Sequence, residues 1–186
     1  SLAKLVPLAL DVLARGMHVV STCEELAWPW SREELARTLD DAARHAGRVV
    51  LGTGVNPGFL MDALPLFLTA PLSSIERVRI ERVQDASTRR KPFQEKVGVG
   101  MRVDDVKAKM STKQMGHVGL AESAAMLGAR LGFQIDEFGE DFQVIALDDD
   151  EKIARGLEQV GRAKENGRVV VALYFRACTC ENDPRD

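Results

Sequence analysis

An apolar strand, Val49-Val50-Leu51, runs directly into Gly52-Thr53-Gly54-Val55-Asn56-Pro57-Gly58, and this glycine-punctuated turn most narrows what the chain can fold into. Glycine lets backbone come close to a ligand where a Cβ would clash, and open parallel sheets keep their ligand crevice beyond the carboxyl ends of the strands. A second strand end, Val19-Val20-Ser21-Thr22-Cys23-Glu24-Glu25, lies about 30 residues upstream, the length of one βαβ unit. Two such ends in tandem mark a ligand edge without naming the ligand.

Around them the periodicity predicts a helix over 5–14 closed by Gly16, a strand over 17–22, a helix to about Ala46 and a strand over 48–51. Ser31-Arg32-Glu33-Glu34 reads as a capping box opening the second helix, and Gly47 as its stop. Helix, strand, helix, strand requires a parallel sheet with helices on its faces. After Gly58 the character changes. A mostly apolar helix over 59–69 is expected, interrupted by Pro65 and stopped at Pro71, then a strand over 74–83 and a long polar loop over 85–100. A weak helix over 104–113 and a firmer one over 118–131 follow, then an extended segment over 134–147. Asp148-Asp149-Asp150-Glu151 reads as a solvated turn, since the glycine and glutamate of a calcium loop do not follow at the right offsets. Residues 153–164 could pass for a helix, but Asn166-Gly167 is a strong hairpin signal and 168–177 is plainly β, so both flanks are read as paired strands.

With 45% hydrophobic and 28% charged residues, 186 residues can bury a sizeable core as one domain or two small ones. A net charge of −3 argues against a nucleic-acid partner, and no apolar run approaches the roughly 20 residues of a membrane span. Cys23, Cys178 and Cys180 make an odd, irregularly spaced set, which points to a reducing cytoplasmic setting; no Cys or His pair stands at metal-ligand spacing, so no metal is expected. The opening residues show no targeting signal.

Four motifs carry a resemblance that physics alone does not. Val19 to Trp30, Gly52 to Asp62, Arg82 to Arg90 and Gly116-His117-Val118-Gly119-Leu120 resemble, in that order along nearly the whole chain, the NAD(P)-dependent amine dehydrogenases typified by 2,4-diaminopentanoate dehydrogenase, within the dihydrodipicolinate reductase-like enzymes. The resemblance implies an α/β fold: the C-terminal portion of a Rossmann-type parallel sheet over 1–57, followed over 58–186 by an α+β substrate and oligomerisation domain with a mixed, open sheet. Only Gly52-x-Gly54 and Gly98-x-Gly100 approach the dinucleotide fingerprint, and each lacks the third glycine. The chain therefore reads as a piece of such an enzyme, without the Gly-rich nucleotide-binding half or the closing segment.

By the same resemblance, Ser21, Thr22 and Cys23, with Asn56 and Gly58, are expected on the cofactor side, the cofactor being NAD or NADP. Glu24 and Glu25 are candidates to anchor an ammonium and take its proton; the alternative is a cap or a solvated helix start. In the loop after the 74–83 strand, Arg89 and Arg90 suit a bidentate carboxylate clamp and Lys96 a proton shuttle; the alternative is a solvated basic loop. The related reductases carry histidines there, so arginines move the expected substrate away from dihydrodipicolinate. His117, before a helix start, suits an anion or a cap. Trp28, Trp30 and Phe93 read as packing residues. The expectation is NAD(P)-dependent oxidative deamination of a small diamino or amino acid by a cytoplasmic homo-oligomer assembled through the second sheet, with 153–164 and 168–177 as its edge strands. Its rivals are a catalytically silent dimerisation module and a reductase of a cyclic imine.

Overall fold

The structure, a computed structural model, describes residues 1–112, 114–146 and 152–179. Helix α1 (Leu2–Ala14) leads to strand β1 (Val19–Ser21), two short 3-10 turns, helix α2 (Glu33–Ala46) and strand β2 (Val50–Gly52). β1 and β2 pair in parallel, Val20 opposite Leu51. The helical spacing of Leu2, Val6, Ala9 and Leu13 turns one face of α1 inward, where it packs with Val19, Leu26 and Leu39. Gly52 is needed for closeness: a Cβ there would stand 2.6 Å from the Leu26 carbonyl oxygen, so any side chain would push the 24–27 turn off the strand end.

A second sheet follows helix α3 (Ala63–Leu68). Strand β3 (Val78–Asp85) and helices α4 (Lys91–Lys96), α5 (Val103–Ser111) and α6 (Leu120–Arg130) precede β4 (Glu137–Ala146), β5 (Ala154–Glu165) and β6 (Arg168–Cys178). The spatial order is β3-β6-β5-β4, with β3 and β6 parallel and the other pairs antiparallel, an open mixed sheet as expected. Asn166 and Gly167, at φ 51 and 74, make the turn between β5 and β6. α6 lies across one face, where Leu120, Ala124 and Leu127 bury against Leu157, Val171, Leu173 and Phe175. It sits so close that a Cβ on Gly161 would come within 2.5 Å of the Leu120 carbonyl oxygen. On the other face Arg79 pairs with Glu81 and Arg162 with Asp141, as strand alternation predicts for a side turned from the core.

Several expectations need correction. Ser31 makes no capping box: its hydroxyl donates to the Trp28 carbonyl, because Pro29 opens a 3-10 turn that carries the chain into α2. The helix expected over 59–69 begins only at Ala63, where Asp62 caps it, and Pro65 lies in its first turn rather than interrupting it. The loop over 85–100 contains α4, with Pro92 in its first turn. Strands 153–164 and 168–177 are the centre of their sheet rather than its edges; β3 and β4 are the edges, because β3 adds to β6 in parallel. Cys178 is disulfide-bonded while Cys23 is a free thiol, so the cysteines are not uniformly reduced. The turn expected at 148–151 lies outside the described residues. Among the described residues no helix is long and apolar enough to cross a membrane.

One fully buried carboxylate ties the turn after β2 to helices α3 and α6. Asp62 accepts from the Gly58 amide at 2.7 Å, the Ala63 amide at 2.6 Å and the Ser123 hydroxyl of α6 at 2.8 Å. Replacing Asp62 by Ala strands these donors, and urea unfolding should show a loss of about 2–4 kcal/mol; Ser123→Ala, which removes one donor, should lose about 1 kcal/mol.

Candidate active site

Beyond the β2 end, Gly54 and Gly58 fold the turn back on itself. A Cβ on Gly54 would meet the Pro57 carbonyl oxygen at 2.5 Å, and Gly58 holds a left-handed φ of 118. The turn delivers Asn56 to a cavity of about 270 Å³, where it meets Glu24 from the first 3-10 turn, Arg82 from β3, Arg89, Lys96 from α4, and His117. Gly119 makes the meeting possible. At φ 95 and without a Cβ, it lets Pro57 and Glu24 pack directly on the entry to α6; a Cβ would meet the Pro57 ring at 2.3 Å.

β3 supplies Arg82 by alternation. Val78 and Ile80 face the core, and two residues on the same face points into the cavity. The guanidinium lies 5.3 Å from the ring of Phe175, its partner across the parallel ladder. Arg89 likewise covers Phe93 at 5.2 Å. Burial pushes Arg82 below the ordinary arginine range, and the charge of Arg89 adds to it. Two guanidiniums and the Lys96 ammonium therefore share one small cavity, a concentration of positive charge relieved by an anion.

His117 is held from several directions. Its amide donates to Gln159 Oε1, Gln159 Nε2 donates back to its carbonyl at 3.0 Å, Nδ1 lies 3.0 Å from the Val118 carbonyl oxygen, and Nε2 lies 2.9 Å from Asn56 Nδ2. The ring stands edge-on to Phe175, 4.8 Å between centroids. Burial lowers its pKa to about 4; the bond to Val118 opposes this, and the charges of Lys96 and Arg82 reinforce it. The imidazole is thus neutral around pH 7. Its backbone N–H is taken by Gln159 and is not free for an anion.

The cavity brings together Glu24, Asn56, Arg89, Lys96 and His117 out of the residues singled out in the sequence. Among the described residues no hydrogen bond or ion pair occupies the Glu24 carboxylate. Glu25 turns elsewhere, accepting from the Leu2 amide at the start of α1 and pairing with Arg32 at 3.4 Å, so it caps a helix instead of facing substrate. Arg90 is exposed at the start of α4, outside the cavity, because its N-cap position points it away. Gly58 lines neither this cavity nor the hollow beside Ser21; its amide donates to Asp62. Ser21, Thr22 and Cys23 border a separate hollow of about 550 Å³ together with Leu5, Leu8 and Val118, and Glu24 lines both spaces. Sequence reasoning missed Arg82, Gln84 and Phe175 as cavity residues, and Gln159 as the side chain that holds the His117 backbone. For Arg82 the signal was present, since it continues the inward face set by Val78 and Ile80; Gln159 gave none, sitting among apolar neighbours in a central strand. A larger hollow beside Trp28, Trp30 and Leu51 also carries charge, but its groups are engaged: Arg44 pairs with Asp40, Arg48 donates to the Gly16 and Gly47 carbonyls, and Arg130 covers the Trp28 ring.

Residues 59–176 match the family described as 2,4-diaminopentanoate dehydrogenase C-terminal domain. The chain belongs to the 2,4-diaminopentanoate dehydrogenase family. The 2,4-diaminopentanoate dehydrogenase of Acetoanaerobium sticklandii is 31% identical over 153 residues, covering 81% of this chain and 43% of that protein. The chain thus spans less than half the length of its curated relative. Amine dehydrogenase from Mycobacterium smegmatis has the same fold, with a TM-score of 0.67 at 17% identity over 100% of this chain and 57% of that one. Biliverdin reductase from Synechocystis sp. PCC 6803, solved with biliverdin and NADP+, aligns at a TM-score of 0.50 and 10% identity over 96% of this chain and 50% of that one. Arg82, Arg89 and His117 of this chain fall within the matched segment.

The buried histidine sets a pH dependence. The unfolded chain takes up the His117 proton near 6.5 and the folded chain only near 4, so stability falls as pH drops through this window and levels off below it. The loss amounts to about 3 kcal/mol. Urea midpoints between pH 7 and 4 should fall in the unmutated chain and fall less in His117→Gln.

Proposed function

We propose that this chain forms part of an NAD(P)-dependent oxidoreductase that oxidises a CH–NH2 carbon of a small amino acid, with 2,4-diaminopentanoate as the leading substrate. The carrying observation is the single cavity in which Glu24 faces Arg82, Arg89 and Lys96. Residues 1–57 serve the cofactor side and 58–186 the substrate side. The family name and the amine dehydrogenase fold support the reading.

The three cations draw in the substrate carboxylate, with Arg89 and Arg82 offering fork geometry over apolar rings. The substrate ammonium then lies towards Glu24. An ammonium nitrogen has no lone pair to drive formation of a C=N bond, so it must first lose a proton, and the Glu24 carboxylate is placed to accept it. The C–H bond then breaks with its electron pair as the nitrogen lone pair forms the imine. Water adds to the imine carbon, and ammonia leaves to give the ketone.

The hollow beside Ser21, Thr22 and Cys23 suits a nicotinamide: two hydroxyls and open space meet the substrate cavity at Glu24. A nicotinamide bound there supplies the hydride acceptor. Ser21 keeps its loop in shape, its hydroxyl accepting from the Cys23 amide at 3.1 Å. Ring and reacting carbon must be within van der Waals contact, and the shared Glu24 wall is where the two spaces meet.

The full-length gene product, given 2,4-diaminopentanoate with NAD+ or NADP+, should form reduced nicotinamide and ammonia in equal amounts. Glu24→Gln should lower kcat by about 10²–10⁴-fold. Arg89→Ala should raise KM by about 10–100-fold. Absence of turnover with any amino acid, or an unchanged kcat in Glu24→Gln, would contradict the reading.

A further inference from the structure

The Asn56 amide raises a question that carboxylate binding and proton transfer leave open. Asn56 Oδ1 is buried and has no hydrogen-bond partner, although Asn56 lines a cavity that contains Arg82, Arg89 and Lys96. An acceptor left so costs about 1–3 kcal/mol, a penalty expected to persist only where something else is gained.

The orientation of that amide follows from its neighbours. The Val118 carbonyl can only accept, so the hydrogen on His117 must sit on Nδ1, 3.0 Å away. A neutral imidazole has one N–H, which leaves Nε2 with a lone pair. The Asn56 group 2.9 Å from Nε2 must therefore be the NH2, and the oxygen is turned away from the ring. Met61 Sδ, a weak acceptor 3.3 Å from the same nitrogen, favours the same orientation. The ring cannot adjust freely, because Gln159 holds its backbone at both N–H and C=O and Phe175 stands against its edge.

We propose that His117 is an orienting residue and not the proton acceptor: it takes an Nδ2–H of Asn56 and so holds the Asn56 amide oxygen to accept an N–H from the ammonium of the bound substrate. The cavity then divides by hydrogen-bond type. Arg82, Arg89 and Lys96 are donors and take the carboxylate; Glu24 and Asn56 Oδ1 are acceptors and take the ammonium. A small turn about the broad terminal torsion of Asn56 brings its oxygen to the ligand. Only the identity of the N–H donor rests on the amine dehydrogenase reading; the His117–Asn56 arrangement does not.

The groups facing His117 are Arg82 on β3, Lys96 on α4, Phe175 on β6 and Asn56, with Glu24 as the acid on the same cavity. Two measurements test the proposal. In the 15N-labelled chain, imidazole NMR at pH 7, with signals assigned by their loss in His117→Gln, should show His117 neutral with its hydrogen on Nδ1. A hydrogen on Nε2, or a charged ring, would turn the amide around and overturn the proposal. In the full-length gene product with 2,4-diaminopentanoate, Asn56→Ala and His117→Gln should each raise KM about tenfold, keep kcat within a few-fold and retain the acidic limb of its pH profile. Loss of that limb in His117→Gln, with kcat down a hundredfold or more, would make His117 the proton acceptor. If the unmutated gene product oxidises no amine, the proposed function fails, while the NMR result still decides the orientation of Asn56.

Discussion

A single buried carboxylate holds the candidate site together. Asp62 has no exposure to solvent, yet three donors converge on it: the amides of Gly58 and Ala63 and the hydroxyl of Ser123. These belong to the turn that carries Asn56, to the start of α3 and to the middle of α6. Burying a carboxylate is expensive unless its lone pairs are used, so the fold is obliged to keep these segments in register. Asn56 then meets His117 across the same junction, and Gly119, by having no side chain, lets Pro57 and Glu24 close against it. Glu24 and the arginines come from segments with separate cores, and this contact is what makes them neighbours.

The cavity's electrostatics are lopsided by construction. Arg82, Arg89 and Lys96 stand near one another on a wall backed by Phe175 and Phe93, while Glu24 is the one carboxylate among the described residues that line the same space. The rings remove water from one side of each guanidinium, which strengthens its pull on an anion. The same positive charge, added to burial, keeps His117 neutral. A neutral imidazole can hold an amide without competing for the substrate's carboxylate, so a histidine suits this position where a third fixed cation would not.

Much of this was legible in the sequence, and what was not has definite causes. The Asn166-Gly167 turn and the β character of 168–177 settled a segment that periodicity alone left ambiguous. The parallel β1–β2 pair followed from alternating helices and strands. Glu24, Asn56, Arg89, Lys96 and His117 stand out in the sequence, because strand ends, basic loops and histidines at helix starts are where ligand chemistry gathers. Glu25 was misread since nothing in a Glu-Glu pair tells which member faces a cavity and which a helix start some twenty residues earlier in the chain, where α1 begins. Arg90 was misread for a similar reason: neighbours at the opening of a helix point different ways, and only the position of Pro92 hinted where α4 begins. The placement of β5 and β6 inside the sheet depended on β3 joining β6 in parallel, a long-range pairing that local pattern does not report.

The central claim is that the space among Glu24, Asn56, Arg82, Arg89, Lys96 and His117 binds a small amino acid by both its charges. The most direct test is a titration of the 15N-labelled chain with 2,4-diaminopentanoate, followed by amide and side-chain chemical shifts. The account predicts saturable changes at the Arg82 and Arg89 guanidiniums, at the Asn56 side-chain amide and at the Glu24 backbone, with the hollow beside Trp28 and Trp30 unmoved. Changes confined to that hollow, or no change at Arg82 and Arg89 while binding occurs elsewhere, would contradict it.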